Sequence, residues 1–159
     1  MKVNIICVGK LKEKYLKDAI SEYSKRLSRF CNFSVTELPD EKIPDNPSVA
    51  EEDKILKSEA DKILKRISDD DYVFSLCVEG KNISSEALAS SMAQITLSGK
   101  SCIDFVIGGS LGLDESVKQR SNFRLSFSLM TFPHQLMRVM LTEQIYRAFK
   151  INANEKYHK

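Results

Sequence analysis

The chain has 159 residues, 42% of them hydrophobic and 29% charged, which suits one domain over residues 1–159 with its own core and needs no second one. No apolar run approaches the roughly 18 residues of a membrane span, and Met1–Val8 is too short and too soon charged for a signal peptide, so a cytoplasmic protein with no membrane partner is expected. The net charge of +2 hides an asymmetry: residues 1–30 carry eight Lys/Arg against three acids, 31–117 eight against seventeen, and 118–159 eight against two. If the two ends meet in the fold, they make a basic face suited to a polyanion.

Val3–Val8 is a continuous apolar run ending at Gly9, the pattern of a strand buried on both faces. From Leu11 to Phe30, Leu11, Tyr15, Ala19, Tyr23, Leu27 and Phe30 recur at three- and four-residue steps, which predicts a helix with that face inward. Phe33–Leu38 alternates as a second strand, and Pro39–Pro47, rich in proline, Asp and Asn, is the one long loop. Ser48-Val49-Ala50-Glu51 has capping-box spacing. The helix it opens turns Ile55, Leu56, Ala60, Ile63, Leu64 and Ile67 inward and its charged face to solvent. Asp69–Asp71 is read as a solvated turn, because three consecutive acids point three ways.

Tyr72–Val78 is the third strand. Ser84 or Ser85 caps a helix to about Leu97 with Leu88, Met92 and Ile95 inward. Cys102–Ile107 is the fourth strand, followed by Gly108-Gly109-Ser110-Leu111-Gly112 and a short helix from Asp114 to Arg120. Phe123–Phe127 supplies a fifth strand and Gln135–Phe149 the last helix. Apolar residues cover most of that helix's circumference, so it needs burial on two sides, and a homodimer interface is the expected second partner. Repeated strand–helix alternation predicts an α/β fold, a mostly parallel sheet with helices on both faces.

Three glycines in five residues after a strand let the main chain approach a ligand with no Cβ in the way. Ser126–Pro133 is a second turn, rich in small hydroxyls. If the fourth and fifth strands lie side by side, both turns sit at the carboxyl edge of the sheet, where open α/β sheets hold ligands. Other motifs fail. Gly99-Lys100-Ser101 precedes a strand, and a P-loop's first glycine would fall on Gln94. The glycine turn lacks both the spacing and the place of a dinucleotide fingerprint. Cys7, Cys31, Cys77 and Cys102 stand far apart and read as free thiols. With His134 and His158 the only histidines, no metal is expected. His134 reads as a helix-end residue, and Glu143 in an apolar helix needs a partner such as Arg138 or Arg147.

Val8-Gly9-Lys10-Leu11-Lys12, Ile107-Gly108-Gly109-Ser110-x-Gly112, the Leu125–His134 run, Arg147-Ala148-Phe149 and the ending Tyr157-His158-Lys159 together resemble the bacterial ribosomal RNA large subunit methyltransferase H family, over nearly the full length. The resemblance implies a SPOUT-type α/β fold with a trefoil knot. It implies methyl transfer from S-adenosylmethionine to N3 of a pseudouridine in 23S rRNA on assembled ribosomes, by a homodimer. Carried over, the cofactor pocket is Leu76, Gly108, Gly109, Phe127, Ser128, Leu129, Met130, Thr131 and Phe132. Tyr157, His158, Lys159 and Arg147 are the catalytic candidates, with His158 the expected base. Many relatives end in Tyr-His-Arg, so Lys159 withdraws the bidentate phosphate contact an arginine would make. Two rivals stand beside this reading. A non-catalytic ribosome-binding factor would bind no S-adenosylmethionine, and a small-molecule α/β enzyme would ignore ribosomes.

Overall fold

The computed structural model describes residues 1–158. In chain order the elements are β1 (Lys2–Val8), α1 (Lys14–Leu27), β2 (Asn32–Leu38), α2 (Val49–Leu64), β3 (Tyr72–Asn82), α3 (Ser85–Leu97), β4 (Cys102–Ile107), α4 (Glu115–Arg120), β5 (Phe123–Ser126) and α5 (His134–Asn152). The five strands form one all-parallel sheet in the order β2-β1-β4-β3-β5. Parallel strands need crossovers, and the crossover helices cover both faces. Val3, Ile5 and Cys7 pack with Phe74, Phe105 and residues of α1, α3 and α5 on one side. Ile6 and Val8 pack with Val73, Val106 and residues of α2 on the other. That is why β1 and β4 read as apolar on both faces, with Asn4 and Asp104 their only polar residues after Lys2. The rings of Phe74 and Phe105 stack at 4.8 Å between centroids across neighbouring strands.

Several expectations hold in detail. Ser48 and Glu51 close a reciprocal capping box, Ser84 caps α3, and Leu88, Met92 and Ile95 are buried. Others need correction. β4 and β5 are not neighbours, because β3 lies between them, so the two turns flank the end of β3. α1 starts only at Lys14, and its inward phase is set by Leu16 and Leu27, leaving Tyr15 67% exposed. The face of α2 read as solvated contains Glu59, which is buried. Its Oε1 accepts the backbone N–H of Glu41 at 3.2 Å and so ties the proline-rich loop to the helix. Burial pushes the Glu59 carboxyl up.

The charged ends do meet, since α1 packs on α5. Much of the C-terminal positive charge is spent inside the molecule, however: Arg124 pairs with Glu115, Arg147 with Glu143 and Lys150 with Glu155. Arg138 is fully buried. No helix among the described residues is long and apolar enough to cross a membrane.

At the amino edge of the sheet, Asn4 bridges three strands. Its Oδ1 accepts the hydroxyls of Ser34 and Thr36 at 3.1 and 3.2 Å, and its Nδ2 donates to Asp104 at 3.3 Å. Asp71, from the turn read as solvated, comes to Asp104 and Cys102, with one donor atom of each within 4.8 Å of the others. Burial first, and the Asp71 charge second, push the Asp104 carboxyl up to about 6. In the unfolded chain the same group ionises near its ordinary value of about 3.9. Between these values the folded state holds the proton more tightly, so stability falls as pH rises through that window. Asp104→Asn, which removes this titration, should be nearly neutral at pH 4 and stabilise by about 2 kcal/mol at pH 7.5, measured by urea unfolding at the two pH values.

Candidate active site

The glycine turn is closed on itself. Gly112 N–H donates to the Gly109 carbonyl at 3.0 Å, and Gly112 sits at φ +85°. A Cβ on Gly108 would lie 2.2 Å from the Gly112 carbonyl oxygen, so the first glycine is required by the turn itself. The second turn is held by its hydroxyls: Ser126 Oγ donates to the Ser128 carbonyl at 3.0 Å, and Ser128 Oγ accepts the N–H of Met130 at 3.0 Å. Between the turns, β3 bulges after Leu76 and pairs with β5 again at Lys81 and Asn82. Its register against Leu125 jumps from Leu76 to Lys81. Gly80 permits this, because a Cβ there would meet the Arg124 carbonyl at 2.7 Å.

These three segments enclose a cleft of about 350 Å³ at the carboxyl edge of the sheet, the size of a small-ligand site. Of the residues that the family resemblance assigns to the cofactor, Leu76, Gly108, Gly109, Phe127, Ser128, Met130, Thr131 and Phe132 line it; Leu129 does not, and is 84% exposed. Sequence reasoning missed Glu79, Lys118, His134 and Met137, which also line it. Lys118 is neutralised by an ion pair with Glu79. His134 was read as a helix-end residue; it does open α5 but also faces the cleft. Burial, and then the nearby Arg138 charge, lower its pKa. The cleft thus offers main-chain N–H and C=O groups and apolar side chains, with no uncompensated cation on its wall.

That donor set fits S-adenosylmethionine. An adenine edge is read by backbone groups, and a sulfonium tolerates apolar and thioether neighbours far better than an ammonium beside it. Leu76, Met130 and Phe132 would cover the apolar parts, with Gly108, Gly109 and the Phe127–Phe132 loop supplying the backbone.

The predicted catalytic residues form a second cluster. Glu143 on α5 accepts Arg147 Nε and Nη2 at 3.1 and 2.7 Å and the Tyr157 hydroxyl at 3.0 Å, so Arg147 is the partner it needed. Arg138 instead holds the end of β1, with Nη2 donating to the Val8 and Gly9 carbonyls at 2.8 and 2.9 Å and Nη1 to Glu37 at 3.0 Å. The Tyr157 ring stands edge-on to Tyr146 at 4.9 Å under the Arg147 guanidinium. Burial raises its phenol pKa. His158 is held between Arg147 Nη1, 3.2 Å from Nδ1, and Glu86 Oε1, 2.6 Å from Nε2. Lys159 lies outside the described residues. The cluster borders a second cavity of about 440 Å³ lined by Tyr23, Ser84, Ser85 and Glu143, among others, which shares Ser126 and Phe127 with the cleft.

Comparison with known proteins shows the family. The family model described as "Predicted SPOUT methyltransferase" matches residues 1–158. Ribosomal RNA large subunit methyltransferase H of Streptococcus pyogenes serotype M49 (strain NZ131) is 55% identical over 159 residues, covering the whole of both chains. The protein of that name from serotype M3 (strain ATCC BAA-595 / MGAS315) matches equally. The solved structure of a probable methylase family protein from Haemophilus influenzae Rd KW20 superposes with a TM-score of 0.54 at 14% identity, over 99% of this chain and 70% of that one, a likeness of fold alone. The chain therefore belongs to the SPOUT methyltransferases and, within them, to the ribosomal RNA large subunit methyltransferase H family.

Proposed function

We propose that the protein transfers a methyl group from S-adenosylmethionine to N3 of a pseudouridine of 23S rRNA in the assembled ribosome, and that it works as a homodimer. The observation that carries the reading is a backbone-lined cleft whose lysine, Lys118, is paired with Glu79, and which shares Ser126 and Phe127 with a second cavity lined by Glu143, the residue that holds Arg147 and Tyr157. The donor, when bound, supplies an electrophilic methyl group. The chain's part is to orient it, to exclude water from the apolar walls, and to remove the imide proton of the acceptor. An imide nitrogen attacks only as it loses its proton, so a base beside a cation is the chemistry required. His158 is the base in this reading, and Arg147 and Lys159 stabilise the developing anion or a phosphate. The half-exposed Leu136, Met137, Val139 and Met140 of α5 supply the dimer face.

The test is transfer of labelled methyl to ribosomes lacking the modification, with the product nucleoside identified by mass spectrometry. The wild-type protein is expected to yield N3-methylpseudouridine. His158→Ala should lower the single-turnover rate about a hundredfold while leaving donor binding unchanged. A full rate in His158→Ala would remove the base assignment. Donor binding without transfer to any ribosome would remove the substrate.

A further inference from the structure

Glu86 lies in the first turn of α3, where its own backbone N–H first, then the nearby Ser84 hydroxyl and the His158 ring, hold its carboxyl down to about 2. It is thus an anion throughout the neutral range. The ring it touches is constrained from the other side by arginine chemistry. A guanidinium has five N–H donors and no acceptor. Contact between Arg147 Nη1 and His158 Nδ1 at 3.2 Å therefore requires a lone pair on Nδ1; a proton there would set two donors face to face. The remaining proton is then on Nε2, and the 2.6 Å contact with Glu86 is an Nε2–H donating to a carboxylate. Which imidazole nitrogen is basic is set by the bond the other one makes.

We propose that Glu86 is a positioning residue for methyl transfer: by taking Nε2–H it fixes the His158 tautomer whose Nδ1, beside the Arg147 guanidinium, receives the imide proton of the acceptor base. The inference rests on the methyltransferase reading above. Arg147 Nη1–H and His158 Nδ1 form a donor next to an acceptor. An imide edge presents the complement, a carbonyl oxygen next to an N–H. As the base enters, the Arg147 N–H turns from Nδ1 to the imide carbonyl, and Nδ1 accepts from N3–H. The N3–H proton then passes to Nδ1, and the N3 electron pair forms the bond to the methyl carbon. The methyl–sulfur bond breaks with its pair left on sulfur. The products are the N-methyl imide, a thioether and an imidazolium whose Nε2–H remains on the Glu86 carboxylate.

The chain has two histidines, so long-range ¹H–¹⁵N spectra of the labelled full chain resolve His158 directly. Wild-type protein at pH 8 should show His158 as the Nε2–H tautomer, and Glu86→Ala should shift it toward a mixture. The Glu86→Ala single-turnover rate on ribosomes should fall about tenfold. Ribosome affinity should stay unchanged. Glu86→Gln, which keeps an accepting oxygen, should retain the tautomer and recover part of the rate. An unchanged tautomer in Glu86→Ala would overturn the proposal. Failure of the parent reading looks different, since the wild-type protein itself would then transfer no methyl group.

Discussion

Gly108→Ala is expected to abolish S-adenosylmethionine binding and to lower stability by about 3–5 kcal/mol. The added Cβ would lie 2.2 Å from the Gly112 carbonyl oxygen and 2.5 Å from its carbon. Both are main-chain atoms of the same closed turn, so no side chain can swing away. Relief requires opening the turn, which breaks the Gly112–Gly109 hydrogen bond and moves the wall formed by residues 108–113. Calorimetric titration of the donor should show at least about a thousandfold loss of affinity, the equivalent of about 4 kcal/mol. Gly112→Ala is the control. Its φ of +85° costs about 1–2 kcal/mol, but nothing lies within 4 Å of a Cβ there, so donor binding should remain. Equal binding by Gly108→Ala and wild type would show that the turn is not part of the cofactor site.

Arg138→Ala should destabilise the fold by about 3–5 kcal/mol, which for a chain of this length lowers Tm by about 10 °C. The guanidinium has no exposed surface. It joins α5 to the last carbonyls of β1 and to Glu37 of β2, while Glu37 also accepts the N–H of Leu11 at 2.9 Å. Truncation leaves two buried carbonyls and a carboxylate without their donor, and a cavity where the side chain stood. Arg138→Lys should not restore the loss, since one ammonium cannot reproduce the planar fork that spans both sides. Urea unfolding of the three proteins measures the difference, and a loss under 1 kcal/mol for Arg138→Ala would show that water replaces these bonds.

Much of the architecture was legible. β1 and β4 were readable because strands buried on both faces carry no polar alternation, and α2 because Ser48 and Glu51 announce its start. Glycine density and small hydroxyls marked the two turns that wall the cleft. Strand order was not legible: nothing local in Tyr72–Val78 says that it separates β4 from β5, so Glu79 was not expected in the cleft. Nor was the Glu79–Lys118 pair or the Glu86–His158 pair, whose members stand 39 and 72 residues apart. In α5 the apolar circumference hid Arg138, because periodicity counts side chains and cannot say which buried carbonyls await a donor. The knot came only with the family resemblance.

The pairing of Asn4 with Asp104, one hundred residues apart, sets the order in which a newly synthesised molecule can mature. β1 and β2 pair within a short span, yet the other edge of β1 stays open until β4 has been made. Contacts of such separation form slowly, and an open apolar edge on a growing chain invites wrong partners. His158 follows all five strands in the chain, so the whole sheet is made before the Glu143–Arg147–His158 cluster can close. The cleft, whose lining ends at Met137, can therefore form before the cluster does, and if the proposed roles hold, removing Tyr157 and His158 should spare donor binding and stop transfer.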